Sequence, residues 1–206
     1  LEVAAIGAGT QNSAIVDRDG QMFMWGLNAS GQIGDNSRTS RSTPVAVFGS
    51  PTWLSTTYSP IATAGENPCL IPGLCSGTGK NANDTSWGIR DEGNGEQSLW
   101  TWGYGLQGQL GIGSFGQSRS TPVSVLNSRN WRFWQCSAAL NQMCCIDKFW
   151  KIWCWGNSGS NQCGVNYPGS PTSFNTPVNL EDAMKDNCVP GCPDPFVAQA
   201  MRQISC

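Results

Sequence analysis

The chain has no histidine among its 206 residues. That removes the commonest general base, the usual serine and cysteine triads, and any zinc site of mixed cysteine and histidine ligands. Charge is scarce too: 13% of residues are Asp, Glu, Lys or Arg, the formal net charge is -2, and no basic run occurs. Nucleic acid and an anionic membrane surface are therefore poor partners. No stretch is long and apolar enough to insert into a bilayer as a helix. The carboxylates are scattered, and the adjacent pairs Asp91-Glu92 and Glu181-Asp182 suit solvated turns better than a glycosidase dyad. Gly111-Ile112-Gly113 lacks the Lys-Ser/Thr end and the following helix of a phosphate loop. The expectation is a chain that is not an enzyme and carries no cofactor and no metal.

What is present is a phrase written three times. Trp25-Gly26 is followed by Gln32-Ile33-Gly34 and Thr43-Pro44-Val45; Trp102-Gly103 by Gln109-Leu110-Gly111 and Thr121-Pro122-Val123; Trp155-Gly156 by Gln162-Cys163-Gly164 and Thr176-Pro177-Val178. A repeated supersecondary unit cannot bury its apolar face alone and must stack on neighbours. The Trp-Gly pairs stand 77 and 53 residues apart, and the longer interval holds a Gly, Asn and Cys-rich stretch at 66–83 that reads as an inserted loop. The upstream half recurs as well, with Ser13-Ala14-Ile15-Val16-Asp17 leading to Trp25 as Met143-Cys144-Cys145-Ile146-Asp147 leads to Trp155. Asp19-Gly20 sits where a tight turn is expected, Met22 to Trp25 alternates as a strand does, and Glu181 to Asp186 is the one fair helix candidate. The reading is an all-β chain of propeller-type blades, four short antiparallel strands each. Three repeats fall at about 1–55, 56–130 and 131–200 in one array. Because Met201 to Cys206 matches Trp131 to Cys136, a fourth repeat is expected to begin at 201.

This order of strand, Asp-Gly turn, strand ending in Trp-Gly, then Gly31-Gln32-Ile33-Gly34 or Gly108-Gln109-Leu110-Gly111 and a Pro-Val pair, resembles the repeats of the regulator of chromosome condensation superfamily. It is also similar to bacterial and plant receptor relatives in which Cys precedes the Trp-Gly. Two departures stand out. The family often has His just before the second strand, where this chain has Asn12 and Gln142, and the third copy has Asn161 in place of the first glycine. The resemblance implies propeller blades in which Trp25, Trp102 and Trp155 end a strand and pack between blades as the repeat core; a carbohydrate platform is the rarer use of such residues. Pro44, Pro122 and Pro177 suit an edge strand or a strand's first residue. Closed relatives use about seven blades, so three units and an orphan strand make an incomplete or open propeller whose edges need cover.

Ten cysteines, an even number, point to disulfides and an oxidising compartment. Cys69 and Cys75 flank one Pro-Gly loop, and Cys188 and Cys192 enclose Val-Pro-Gly. Cys144 and Cys154 lie on consecutive strands where the first repeat has Ala14 and Met24, and a Cys136 to Cys145 pairing across the preceding hairpin is expected. Cys163 and Cys206 remain as a last pair, with a missing segment or a neighbouring chain as the alternative partner of Cys206. A four-cysteine zinc cluster of Cys136, Cys144, Cys145 and Cys154 is the alternative. The sequons at Asn28 and Asn83 agree with secretion and with glycans in exposed turns.

These features support an extracellular or cell-surface repeat protein with a structural role, whose open blades assemble with copies of itself or with the remaining blades of a longer chain. The second reading is a ligand-binding or protein-binding propeller ectodomain, lectin-like or inhibitor-like. A third, nuclear exchange factor for a small GTPase, is what the superfamily's founding member implies, and the cysteine load opposes it.

Overall fold

The computed structural model describes residues 2–8, 11–49, 53, 85–93, 96–126, 128, 135–138, 141–147, 149, 151–165 and 171–180. The inserted loop expected at 66–83, Cys69, Cys75, Asn83, Cys188, Cys192, Cys206, the helix candidate Glu181 to Asp186 and the repeat start expected at 201–206 lie outside the described residues.

Among the described residues, eleven strands form three antiparallel sheets. The first contains β1 (Val3–Ala8), β2 (Asn12–Asp17), β3 (Met22–Gly26) and β4 (Arg41–Ala46), in that order. The second contains β5 (Thr85–Gly93), β6 (Glu96–Gly103) and β7 (Arg119–Ser124). The third contains β8 (Gln135–Ala138), β9 (Gln142–Ile146), β10 (Ile152–Asn157) and β11 (Ser173–Asn179). Each sheet is an up-and-down meander of sequence neighbours, as the repeat predicts.

The turn between β2 and β3 follows from Asp17. Its Oδ1 accepts the backbone N–H groups of Asp19 and Gln21, while Gly20 takes a φ of +79° that other residues avoid. Asp147 repeats the device, accepting from Phe149 and Lys151. The proline of each Thr-Pro-Val lies inside the last strand of its sheet, an edge strand, beside a register shift that falls between Met24 and Gly26, Thr101 and Gly103, or Cys154 and Gly156 on the partner strand. A bulge on an edge is where a residue without an N–H does least harm.

Trp53 lies near the boundary expected at about 55. It bridges to Arg90 of β5, as Val3 pairs with Asp17 in the first sheet. Its N–H still bonds the Gly20 carbonyl, and its ring lies 5.5 Å from that of Trp102. Among the described residues three apolar clusters result. One joins Ala14, Val16, Met22, Met24, Ile33 and Val47 to Trp53 and Trp102; a second joins Trp87, Leu99 and Val125 to Met143, Cys145 and Trp155. The third gathers Cys144, Ile152, Cys154, Cys163, Val165 and Leu180 on the far face of the third sheet.

Candidate functional site: the joints between blades

Successive sheets meet through one recurring contact. The Gly-Gln-x-Gly turn after the third strand of a blade is folded by its own glutamine, whose Oε1 accepts the N–H two residues back: Ser30 for Gln32, Gln107 for Gln109 and Ser160 for Gln162. The side chain is thus spent on the turn, and the glutamine's backbone carbonyl is left pointing at the next blade. The Trp102 indole donates to the Gln32 carbonyl at 2.8 Å, and the Trp155 indole donates to the Gln109 carbonyl at 2.9 Å. Both indoles are fully buried, so each bond forms where water cannot compete. Ser86 adds a second donor to the Gln32 carbonyl, its Oγ at 2.7 Å.

The glycines of the turn give the next blade room. A Cβ on Gly34 would stand 2.8 Å from the Trp102 indole nitrogen, and one on Gly111 would stand 2.7 Å from that of Trp155. A Cβ on Gly31 would come within 2.5 Å of Ser120 Cα, and one on Gly108 within 2.6 Å of the Phe174 carbonyl oxygen, both on the last strand of the following blade. That strand also accepts a backbone bond from the preceding turn, Asn36 N–H to Ser120 and Gly113 N–H to Asn175.

Trp25 departs from the expectation that all three tryptophans pack between blades. Trp102 and Trp155 do so, but Trp25 is only half-buried. It is paired with Ser13 across β2 and β3, as Trp102 is with Ser86. The first blade therefore presents, ready-made, the two donors that clamp a glutamine carbonyl at the next joint. No preceding blade occurs among the described residues, so Ser13 and Trp25 have no acceptor there. Ile15 and Phe23 share this half-buried face. Residues on the opposite face, Ala14, Val16, Met22 and Met24, are buried against the second blade.

Asn28 corrects the glycan reading of its sequon. Its side chain is fully buried, and its Nδ2 donates to Asp35 Oδ1, Ser37 O and Oγ, and Thr39 O, while its Oδ1 accepts from Ile33 N–H. A glycan on that nitrogen would expel the group that ties the loop together. Asp35 completes the loop with Ser37 and with Arg41, whose Nη2 lies 2.6 Å from its Oδ2. Burial raises the pKa of Asp35, but the bonds from Ser37 and Arg41 and the Arg41 charge outweigh it and hold the carboxyl below its ordinary value. This network was hidden in the sequence, where Asn28, Asp35, Ser37 and Arg41 look like ordinary loop polarity.

Cys136 and Cys145 are joined across β8 and β9, and Cys144 and Cys154 across β9 and β10. Because Cys144 and Cys145 are adjacent on one strand, they point to opposite faces, toward the far cluster and toward the second blade respectively. That geometry overturns the alternative of one zinc cluster built from all four. Cys163 is buried in the far cluster, its thiol 3.5 Å from the Asn157 carbonyl; its expected partner, Cys206, lies outside the described residues. Among the described residues no group of His, Cys, Asp or Glu is placed to hold a metal.

Twisted meanders stacked through an indole-to-carbonyl bond define a β-propeller repeat protein, here with three blades and no closed ring among the described residues. The chain belongs to the regulator of chromosome condensation (RCC1) repeat family: models of that repeat match residues 3–32, and 19–56 and 96–146, together half of its length. It is 25% identical over 192 residues to the RCC1 domain-containing protein RUG3, mitochondrial, of Arabidopsis thaliana, covering 92% of this chain and 37% of that protein. It is 25% identical over 201 residues to the X-linked retinitis pigmentosa GTPase regulator of Canis lupus familiaris, covering 84% of this chain and 20% of that one. Among solved structures it is similar to human WBSCR16, with a TM-score of 0.57 and 13% identity over 93% of this chain and 41% of that one. It is also similar to yeast RCC1 (Prp20) bound to Kap60, with a TM-score of 0.60 and 14% identity over 87% of this chain and 37% of that one. The chain thus spans well under half the length of each.

Proposed function

We propose that this chain is a non-enzymatic, protein-binding set of propeller blades whose contact surface is the open face of its first blade. The observation that carries this reading is the Ser13 and Trp25 pair, a copy of the Ser86 and Trp102 pair that holds the Gln32 carbonyl at the next joint. The occupant is a blade that presents a Gly-Gln-x-Gly turn. The remaining blades of a longer chain would supply one; a second copy stacked head to tail, as the subunit of a surface filament, is the alternative occupant, and its third-blade turn carries Asn161 at the first glycine. A structural relative, Prp20p of Saccharomyces cerevisiae, has binding properties to Gsp1p and histones, which agrees with protein recognition as the use of this fold. The bonded cysteine pairs support a setting outside the cell or on its surface, since such bonds persist where the surroundings oxidise.

Radical footprinting of Trp25 tests the reading. In native material isolated without reductant, Trp25 is expected to be protected from labelling, and to become labelled when the isolated chain is treated alone. Equal labelling in both would overturn it. Surface biotinylation of intact source cells tests the location: a chain labelled only after lysis would reject the extracellular setting.

A second reading, a ligand-binding ectodomain, draws on a different surface. The second blade's turns expose Leu106 (43%), Phe115 (48%) and Leu126 (43%), apolar side chains that a ligand could cover.

A further inference from the structure

The third blade carries a copy of the joint turn in which the first glycine is replaced, and that position stands at the tightest point of the other two joints. Gly31 and Gly108 are buried, have φ of +88° and +86°, and lie so close to the next blade that a Cβ would fall 2.5 Å and 2.6 Å from its backbone. At the same place the third blade has Asn161, which keeps the left-handed conformation, with φ +59°, and is exposed. The rest of the turn is intact, because Asn161 N–H bonds the Ser158 carbonyl, Gly164 N–H bonds the Asn161 carbonyl, and Gln162 caps Ser160. Left-handed backbone is thus satisfied by Asn as it is by Gly, and only the added side chain is new. Backbone on the facing strand cannot yield as a flexible side chain would.

We infer that the third blade does not accept a further blade in the register of the other two joints, so that, among the described residues, the blade-accepting face is the one around Ser13 and Trp25. This inference rests on the reading of that face as an open joint, and it narrows the occupant. A blade with glycine at the position of Gly31 fits, whereas the third blade of a second copy brings Asn161 and does not. Ile15, Phe23 and Trp25 on the open face of the first blade are half-buried. Open-ended head-to-tail growth through this joint is excluded by the same geometry, since a heterologous contact needs both of its halves.

Melting and particle mass of the full chain decide it. Gly31→Asn and Gly108→Asn are each expected to lower Tm by roughly 3–10 °C, the scale of an overpacked, strained contact in a chain of this size. Asn161→Gly is expected to shift Tm by no more than about 2 °C. Gly31→Ala, a smaller addition of the same Cβ, gives a measurable loss if Gly31→Asn does not fold. Light scattering of the unaltered chain should show a mass that neither rises steadily with concentration nor changes on Trp25→Ala. Asparagine tolerated at 31 and 108 without loss would overturn the inference, because the Cβ would then not discriminate between joints. Steady growth abolished by Trp25→Ala would overturn it too, while leaving the open-joint reading intact. If instead footprinting shows Trp25 unprotected in native material, the open-joint reading fails, and the comparison of positions 31, 108 and 161 still decides whether the third turn can serve as a joint.

Discussion

The two glycines of each turn do different physical work, and Gly34 shows it at the scale of one atom. With φ at +74° and the Trp102 indole nitrogen 2.8 Å from the place a Cβ would take, Gly34→Ala strains the backbone and pushes the indole off the Gln32 carbonyl. The expected loss is about 2–4 kcal/mol, from left-handed alanine and an overpacked contact together, read by denaturant melting. A second single-residue effect is set by pH. The Asp35 carboxyl is held below its ordinary value of 3.8, with its side chain 6% exposed and paired to Arg41. A carboxylate with a depressed folded pKa stabilises fully above the unfolded value, and that stabilisation is lost as pH falls through the folded one. The Tm of the unaltered chain should therefore drop more steeply below about pH 4 than that of Asp35→Asn, which has no such proton to gain. Parallel pH curves for the two would show that Arg41 and Ser37 do not act through the charge.

Within one sheet, the third blade replaces packing by covalent bonds at positions the first blade fills with side chains. Cys144 pairs with Cys154 in the register where Ala14 faces Met24, and the two pairs occupy the same face of their blades. Removing the disulfide should cost about 2–4 kcal/mol. Part of that is packing, which Cys144→Ala with Cys154→Met restores by copying the first blade. Cys144→Ala with Cys154→Ala restores none and should melt about 1–3 kcal/mol lower than the Ala/Met variant. Equal stabilities would mean that the bond acts through the unfolded chain alone. This equivalence was legible in the sequence because strand registers repeat, as were the Asp-Gly turn, the four-strand unit and the burial of Trp102 and Trp155. Other features were not legible. The acceptor at each joint is a backbone carbonyl, which no side-chain pattern announces. Asn28 looks like any sequon in a turn until Asp35, Ser37 and Thr39 are folded around it. Trp53 carries no Trp-Gly signature, and only its bridge to Arg90 places it in the second blade.

Across the whole molecule, each blade leans on its neighbour rather than on a common centre, since the apolar clusters join first blade to second and second to third. Stability in such an array is a sum of blade terms and joint terms, so damage at one joint should spread unevenly. Trp102 is the residue that makes this visible. It contributes its ring to the first cluster and its indole N–H to the Gln32 carbonyl, but belongs to no part of the second cluster. In Trp102→Ala, native-state hydrogen exchange should show the amides of β2 and β3, on Ala14 to Val16 and Met22 to Met24, losing protection by a factor of ten or more, on the order of the several kcal/mol that deleting a buried tryptophan costs. Amides of β9 and β10 should keep most of theirs, because the Trp155 contact to Gln109 and both disulfides are untouched. An equal loss in all three sheets would mean that the blades fold as one cooperative body. The open face of the first blade would then be held in shape by the whole array, and a partner blade seated there would stabilise the third blade as much as the first. If the loss is local, a partner at Ser13 and Trp25 stabilises chiefly β1 to β4, the blade that carries the open face.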